Sequence, residues 1–300
     1  MKKKTYLFAL MTMVLTLGSC SDNENGIGGE TSKYITVSTS IGNMTRVATD
    51  AKGGQTFEEG DEISVYAWTG APTVAPETRE RVVNNAINKL TNGSWVSTPQ
   101  MLWKNNRDKH YFIGVYPISA ISDLSAGEYT FDETKQVESD LLVAVNKDGL
   151  SYNVDEQQTV PLTFTHVMAK LAVNLTYKNQ WGGIPTVEKV VVGNAAKEAT
   201  INYLTKVVTP STTAKEDFSL PEITENTKYV SVIIPQEEVT QLTIVIGGKN
   251  FVYDNGTPFK LESGKITTVN LEVGRDEIKL GDVKITNWED GSTFSGEALN

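Results

Sequence analysis

The chain has 300 residues, 39% of them hydrophobic, and a formal net charge of −10 from 27 basic and 37 acidic side chains. An acidic balance of this size argues against a nucleic-acid surface and suits a soluble exterior. A single cysteine excludes disulfides within the chain and clusters of thiolate metal ligands, and the length suffices for two ordinary domains.

Residues 1–19 read as a removable leader. Lys2, Lys3 and Lys4 give a basic start, and residues 6–17 are apolar apart from Thr12 and Thr16. That run is shorter than the roughly 20 residues a membrane helix needs, so it reads as a signal peptide. Gly18 and Ser19 place small residues directly before Cys20. The arrangement resembles a bacterial lipobox, in which the cysteine is acylated and becomes the mature N-terminus. The leader holds three lysines and no acid, so its removal takes the formal charge from −10 to −13. The lipid, at about 0.8 kcal/mol per buried methylene, is then the only expected membrane contact, because no later apolar run approaches span length. Residues 20–33 are polar, acidic and glycine-rich, which predicts a flexible tether.

From Tyr34 onward the pattern is short β segments separated by turn residues. Ile35, Val37, Thr39 and Ile41 alternate with polar neighbours, as a half-buried strand requires. Further strands are predicted at 63–68, 81–90, 111–116, 141–145, 160–164, 169–177, 189–192, 199–208, 229–234, 242–246, 251–253, 267–273 and 283–288. Turn signals fall between them at Asn92-Gly93, Asp148-Gly149, Gly247-Gly248, Asn255-Gly256 and Ser263-Gly264. Residues 79–90 alone carry helical spacing, with Val82, Val83, Ala86, Ile87 and Leu90, but the Asn84-Asn85 pair and the turn that follows favour a hairpin. Many short strands at this spacing predict β-sandwiches, with two β units meeting near residues 164–170.

Several pieces along the chain carry a resemblance. They are Asn43-Met44-Thr45-Arg46, the run from Phe57 to Tyr66 containing Gly60-Asp61-Glu62, and Gln136 with Asp140-Leu141-Leu142. Phe164-Thr165-His166, with Ala169-Lys170-Leu171, then Gly264-Lys265-Ile266 and Asn287-Trp288-Glu289 complete the set. Together with the lipobox they resemble the fimbrillin family of Bacteroidota, the FimA-like and Mfa-like lipoprotein pilins of type V pili. The resemblance implies an all-β chain with two tandem transthyretin-like β-sandwich domains, 34–167 and 168–300. It also implies surface export, for which the acidic residues after Cys20 resemble the signal. An arginine-specific surface protease would cut between Arg46 and Val47 and release the first strand with Ile35, Val37 and Ile41. A strand from another pilin subunit would fill the groove, with Ile278, Leu280, Val283 and Ile285 the candidate donor.

Physical chemistry supports the same picture. Burying Ile35, Val37 and Ile41 at about 1.5–3 kcal/mol each gives the first strand a gross hold of roughly 5–9 kcal/mol. Its loss leaves an apolar trough between two sheet edges, a template for strand addition. Other constellations carry less. Glu58, Glu59, Asp61 and Glu62 lack the spacing of a calcium loop and read as a solvated turn. His110 and His166 belong to no catalytic motif, and the five tryptophans read chiefly as core. The expectation is a non-enzymatic fimbrial subunit at the outer membrane surface, with no metal or cofactor. The alternative is a monomeric surface lipoprotein or tip adhesin that binds a glycan or host protein.

Overall fold

The computed structural model describes residues 33–42, 56–153 and 158–288. Among them are nineteen strands, two short 3-10 turns (Thr78–Glu80 and Asn179–Trp181) and no α-helix. The first half contains β1 (Thr36–Ile41), β2 (Glu62–Thr69), β3 (Val83–Thr91), β4 (Ser94–Thr98), β5 (His110–Tyr116), β6 (Gly127–Thr130), β7 (Leu142–Leu150) and β8 (Thr159–His166). The second half runs β9 (Ala169–Tyr177), β10 (Val187–Ala196), β11 (Glu198–Asn202), β12 (Val207–Pro210), β13 (Lys215–Ser219) and β14 (Glu222–Thr224). It continues with β15 (Lys228–Ile233), β16 (Gln236–Ile246), β17 (Lys249–Leu261), β18 (Lys265–Val273) and β19 (Ile278–Asn287).

The seven-stranded sheet of the first half has the order β1-β8-β7-β5-β2-β3-β4. Its central strands are buried on both faces, which is why their sequences read as near-continuous apolar runs, broken in β2 only by Ser64. In β2, Ile63, Val65 and Ala67 enter one core cluster while Tyr66 and Trp68 enter another, and in β5 Phe112 parts from Ile113 and Val115 in the same way. The first cluster also gathers Ile35, Val37, Met101, Trp103 and Phe164. The sheet rolls around it until its two edges meet, with the Ile35 N–H donating to the Met101 carbonyl at 2.9 Å and the Trp103 N–H to the Lys33 carbonyl at 3.2 Å.

The second half builds a five-stranded sheet, β14-β15-β9-β18-β19, and a four-stranded sheet, β13-β10-β16-β17. Their facing residues, among them Val173, Val190, Ile244 and Val269, share the larger cluster. A three-stranded sheet, β12-β11-β6, spans the two halves, because β6 of the first pairs with β11 of the second. Val167 and Met168, where the two β units were expected to meet, form the buried link between β8 and β9.

Some expectations are corrected. Residues 199–208 are two strands, because Asn202 Oδ1 accepts from the N–H groups of Leu204 and Thr205 at 3.1 Å and turns the chain back. Asn255-Gly256 ends no strand: β17 pairs with β16 on both sides of it, at Gln241↔Asp254 and Val239↔Phe259, and residues 255–258 bulge out. Residues 83–91 form a strand, with Asn85 at φ 56 taking the left-handed turn where the β2–β3 register shifts. Asparagine tolerates that conformation better than most residues.

Candidate functional site

β1 is an edge strand. It runs parallel to β8 from Thr36↔Thr159 to Ile41↔Phe164, and along its other side β4 contributes only the Trp95 indole N–H, which donates to Thr39 Oγ1 at 3.0 Å. Ile35 and Val37 are buried at 2% and 6% exposure, whereas Ile41 is half-buried. The firm share of the hold is therefore that of two side chains, about 3–6 kcal/mol. Between the open edges of β1 and β4 lies a groove of about 660 Å³ lined by Val37, Thr39, Ile41, Phe57 and Trp95. Phe57 stands edge-on to Trp95 at 5.3 Å and to Phe164 at 5.1 Å, and so packs the mouth of this groove.

The acidic group beside the groove is bound up locally. Asp61 Oδ2 accepts from the Glu58 N–H at 2.7 Å, Glu59 Oε1 from the Asn92 N–H at 2.6 Å, and Glu62 pairs with Lys89 at 3.0 Å. These carboxylates staple the β3–β4 turn to the start of β2. Among the described residues no three His, Cys, Asp or Glu side chains converge as a metal site.

The candidate donor segment is β19, which lies antiparallel to β18 at the edge of the five-stranded sheet. Ile278 and Leu280 pack against the core, whereas Val283 and Ile285 are 38% and 40% exposed. The strand is pinned at its end by Trp288, 3% exposed, whose ring stacks on His166 at 4.2 Å and 7°. The Lys170 ammonium lies 4.2 Å from the same ring, and His166 Nδ1 lies 2.8 Å from Asp140 Oδ1. Gln136 fixes the approach to Asp140, its Oε1 accepting from the Val232 N–H at 2.7 Å. Cys20, Arg46 and Val47 lie outside the described residues.

A fimbrillin-like family matches the chain over residues 45–288. The chain belongs to that family. Among solved structures, this fimbrillin-like chain is similar to a candidate cell adhesion protein from Bacteroides ovatus, with 17% identity and a TM-score of 0.65 over 85% of this chain and 98% of the other. One from Bacteroides uniformis gives 17% and 0.61 over 86% and 100%. A fimbrial protein from Bacteroides vulgatus gives 12% and 0.51 over 84% and 99%. At these identities the likeness is one of fold. No curated protein matches the chain.

Within this fimbrillin-like fold, the motif pieces around Asp140, His166, Lys170 and Trp288 converge into one side-chain cluster, which no single piece announces. Burial lowers the Lys170 pKa to about 8, against the opposing pull of Asp140. The folded pKa lies below the unfolded value of about 10.4, so between the two the unfolded chain binds more protons and stability rises with pH. The Lys170 contribution to the unfolding free energy is expected to climb by roughly 1 kcal/mol from pH 8 to pH 9. Lys206, also lowered by burial, adds a share of the same sign. Lys170→Met is expected to flatten most of the climb in urea titrations, and an unchanged slope would contradict the assignment. As the pH approaches 10 the tyrosines raised by burial, Tyr116 at about 12 among them, reverse the trend because the folded state then holds the extra protons.

Proposed function

We propose that the chain is a subunit of a cell-surface fimbria, exported as a lipoprotein through Cys20 and assembled by strand exchange after cleavage between Arg46 and Val47. The supporting observation is β1 itself. It is held by one ladder, to β8, and at its start by the bridge of Tyr34 to Leu102, and Ile35 and Val37 share a core cluster with Phe164. Its removal with residues 20–46 opens a groove that an extended strand of similar pattern refills, restoring backbone pairing and apolar burial together. β19, an edge strand with half-exposed aliphatic side chains, is the segment suited to serve as donor. The partners are other pilin subunits and an arginine-specific surface protease, and the membrane is met through the lipid alone.

Mass spectrometry of the N-terminus of surface-extracted protein tests this reading. It is expected to find an acylated Cys20 on the precursor and Val47 as the first residue of the polymerised form. Cys20→Ala is expected to abolish incorporation of a fatty-acid probe, since no second cysteine exists. Equal label in the variant would contradict lipidation.

A second reading, an uncleaved surface lipoprotein or tip adhesin for a glycan or host protein, draws support from the pairing of β19 with β18 and the burial of Trp288. A C-terminal strand that stays in its own sheet leaves no donor and caps a fibre. Retention of residues 34–41 in the surface form would favour this reading.

A further inference from the structure

β8 has two neighbours of unequal reach. β1 pairs with it at six positions, from Thr36↔Thr159 to Ile41↔Phe164, and β7 at only three, Leu142↔His166, Val143↔Thr165 and Ala144↔Phe164. Over residues 159–163, β1 is therefore its only ladder partner among the described residues. The last hydrogen bond of the β1 side, from the Gly42 N–H to the Phe164 carbonyl at 2.8 Å, falls two residues before His166, the platform on which Trp288 is stacked. A cavity of about 330 Å³ joins the same parts, lined by Ile41 and Phe57 together with Asp140, His166 and Lys170.

Trp288 is held in a way that permits release. It is the one buried residue at the end of a strand that is otherwise half-buried or exposed. Its side chain is held by stacking and the nearby ammonium and its backbone N–H donates to the Gly264 carbonyl at 3.1 Å, while among the described residues its indole N–H finds no acceptor. A buried donor left unpaired carries a desolvation cost, so the seat is weaker than its burial suggests.

We infer that β8 couples the two ends of the chain: loss of β1 loosens the end of β8, unseats Trp288 from His166 and frees β19 for a neighbouring subunit. Donor release would then follow acceptor opening, and an unprocessed subunit would keep its last strand docked. The inference rests on the reading that β1 is lost during assembly, and it supplies the order of events. A chain of packed contacts is not by itself coupling, so the test measures coupling directly.

Hydrogen exchange on the full-length monomer reads it. Val37→Asp places a carboxylate in the core beneath β1 and displaces that strand. The amides of β8 and β19 are then expected to exchange about tenfold faster or more, while those of β10 and β16 stay unchanged. Trp288→Ala is expected to speed β19 and, because an equilibrium coupling is reciprocal, to speed β1 as well. If Val37→Asp speeds β8 but leaves β19 at its original rate, the coupling is overturned. If β10 and β16 accelerate as well, the milder Ile41→Ser, at a half-buried position, is read by the same pair of outcomes. Because the measurement is made on monomer, it separates the two ideas: coupling with no polymerisation removes strand exchange, and polymerisation with no coupling removes only this inference.

Discussion

Phe164→Ala is expected to lower the unfolding free energy by about 3–5 kcal/mol, the range for a large buried aromatic cut back to alanine. The residue is fully buried and sits where several elements meet. Its ring stands edge-on to Phe57 at 5.1 Å, and its backbone is in register with Ile41 of β1 and Ala144 of β7. Gly114 of β5 leaves the room it occupies: a Cβ there would lie 2.6 Å from the Phe164 ring tip. The cavity left by truncation borders both Phe57 and Leu162, and the rigid sheet beneath can collapse into it only in part. Urea unfolding at neutral pH checks this, read as a fall in midpoint at constant slope. A loss under about 1 kcal/mol would show that the site relaxes freely and that the packing here is not what secures β1.

The strand content was legible because it is local. Residues 63–68 and 111–116 are apolar apart from Ser64 and bounded by turn signals, and both are central strands buried on two faces. Alternation at Ile35, Val37 and Ile41 marks a strand with one buried face, and β1 has that form, with Ile41 less covered than the other two. The three strands without a predicted counterpart, β6, β13 and β14, are five residues long or shorter, too short for a period to register. β4 was foreseen only as the far side of a hairpin after Asn92-Gly93, and that turn is the one the chain makes.

The site was legible in part. Family resemblance picked out the pieces holding Asp140, His166, Lys170 and Trp288, but the contact that unites them depends on the return of β19 to the β8–β9 link. Periodicity carries no information about such a return. The parallel pairing of β1 with β8 is equally hidden in sequence, since it joins residues at the two ends of the first half. His166 belongs to no catalytic motif, and its partners, Asp140 and Trp288, give it a packing and hydrogen-bonding role.

The central claim is that removal of the first strand creates the surface on which subunits join, and the most direct measurement is a size ladder after limited trypsin digestion. Wild type, Arg46→Ala and a chain lacking residues 278–300 are compared by light scattering and on non-boiled gels, with mass spectrometry confirming Val47 as the new N-terminus. Wild type is expected to pass from monomer to a series of oligomers once cut, because the exposed groove costs apolar burial that a second chain restores. Arg46→Ala is expected to stay monomeric and keep residues 34–41. The shortened chain is expected to be cut normally yet stop at monomer, since it has a groove and no donor. Wild-type protein that carries Val47 at its N-terminus and remains strictly monomeric at high concentration would contradict the account.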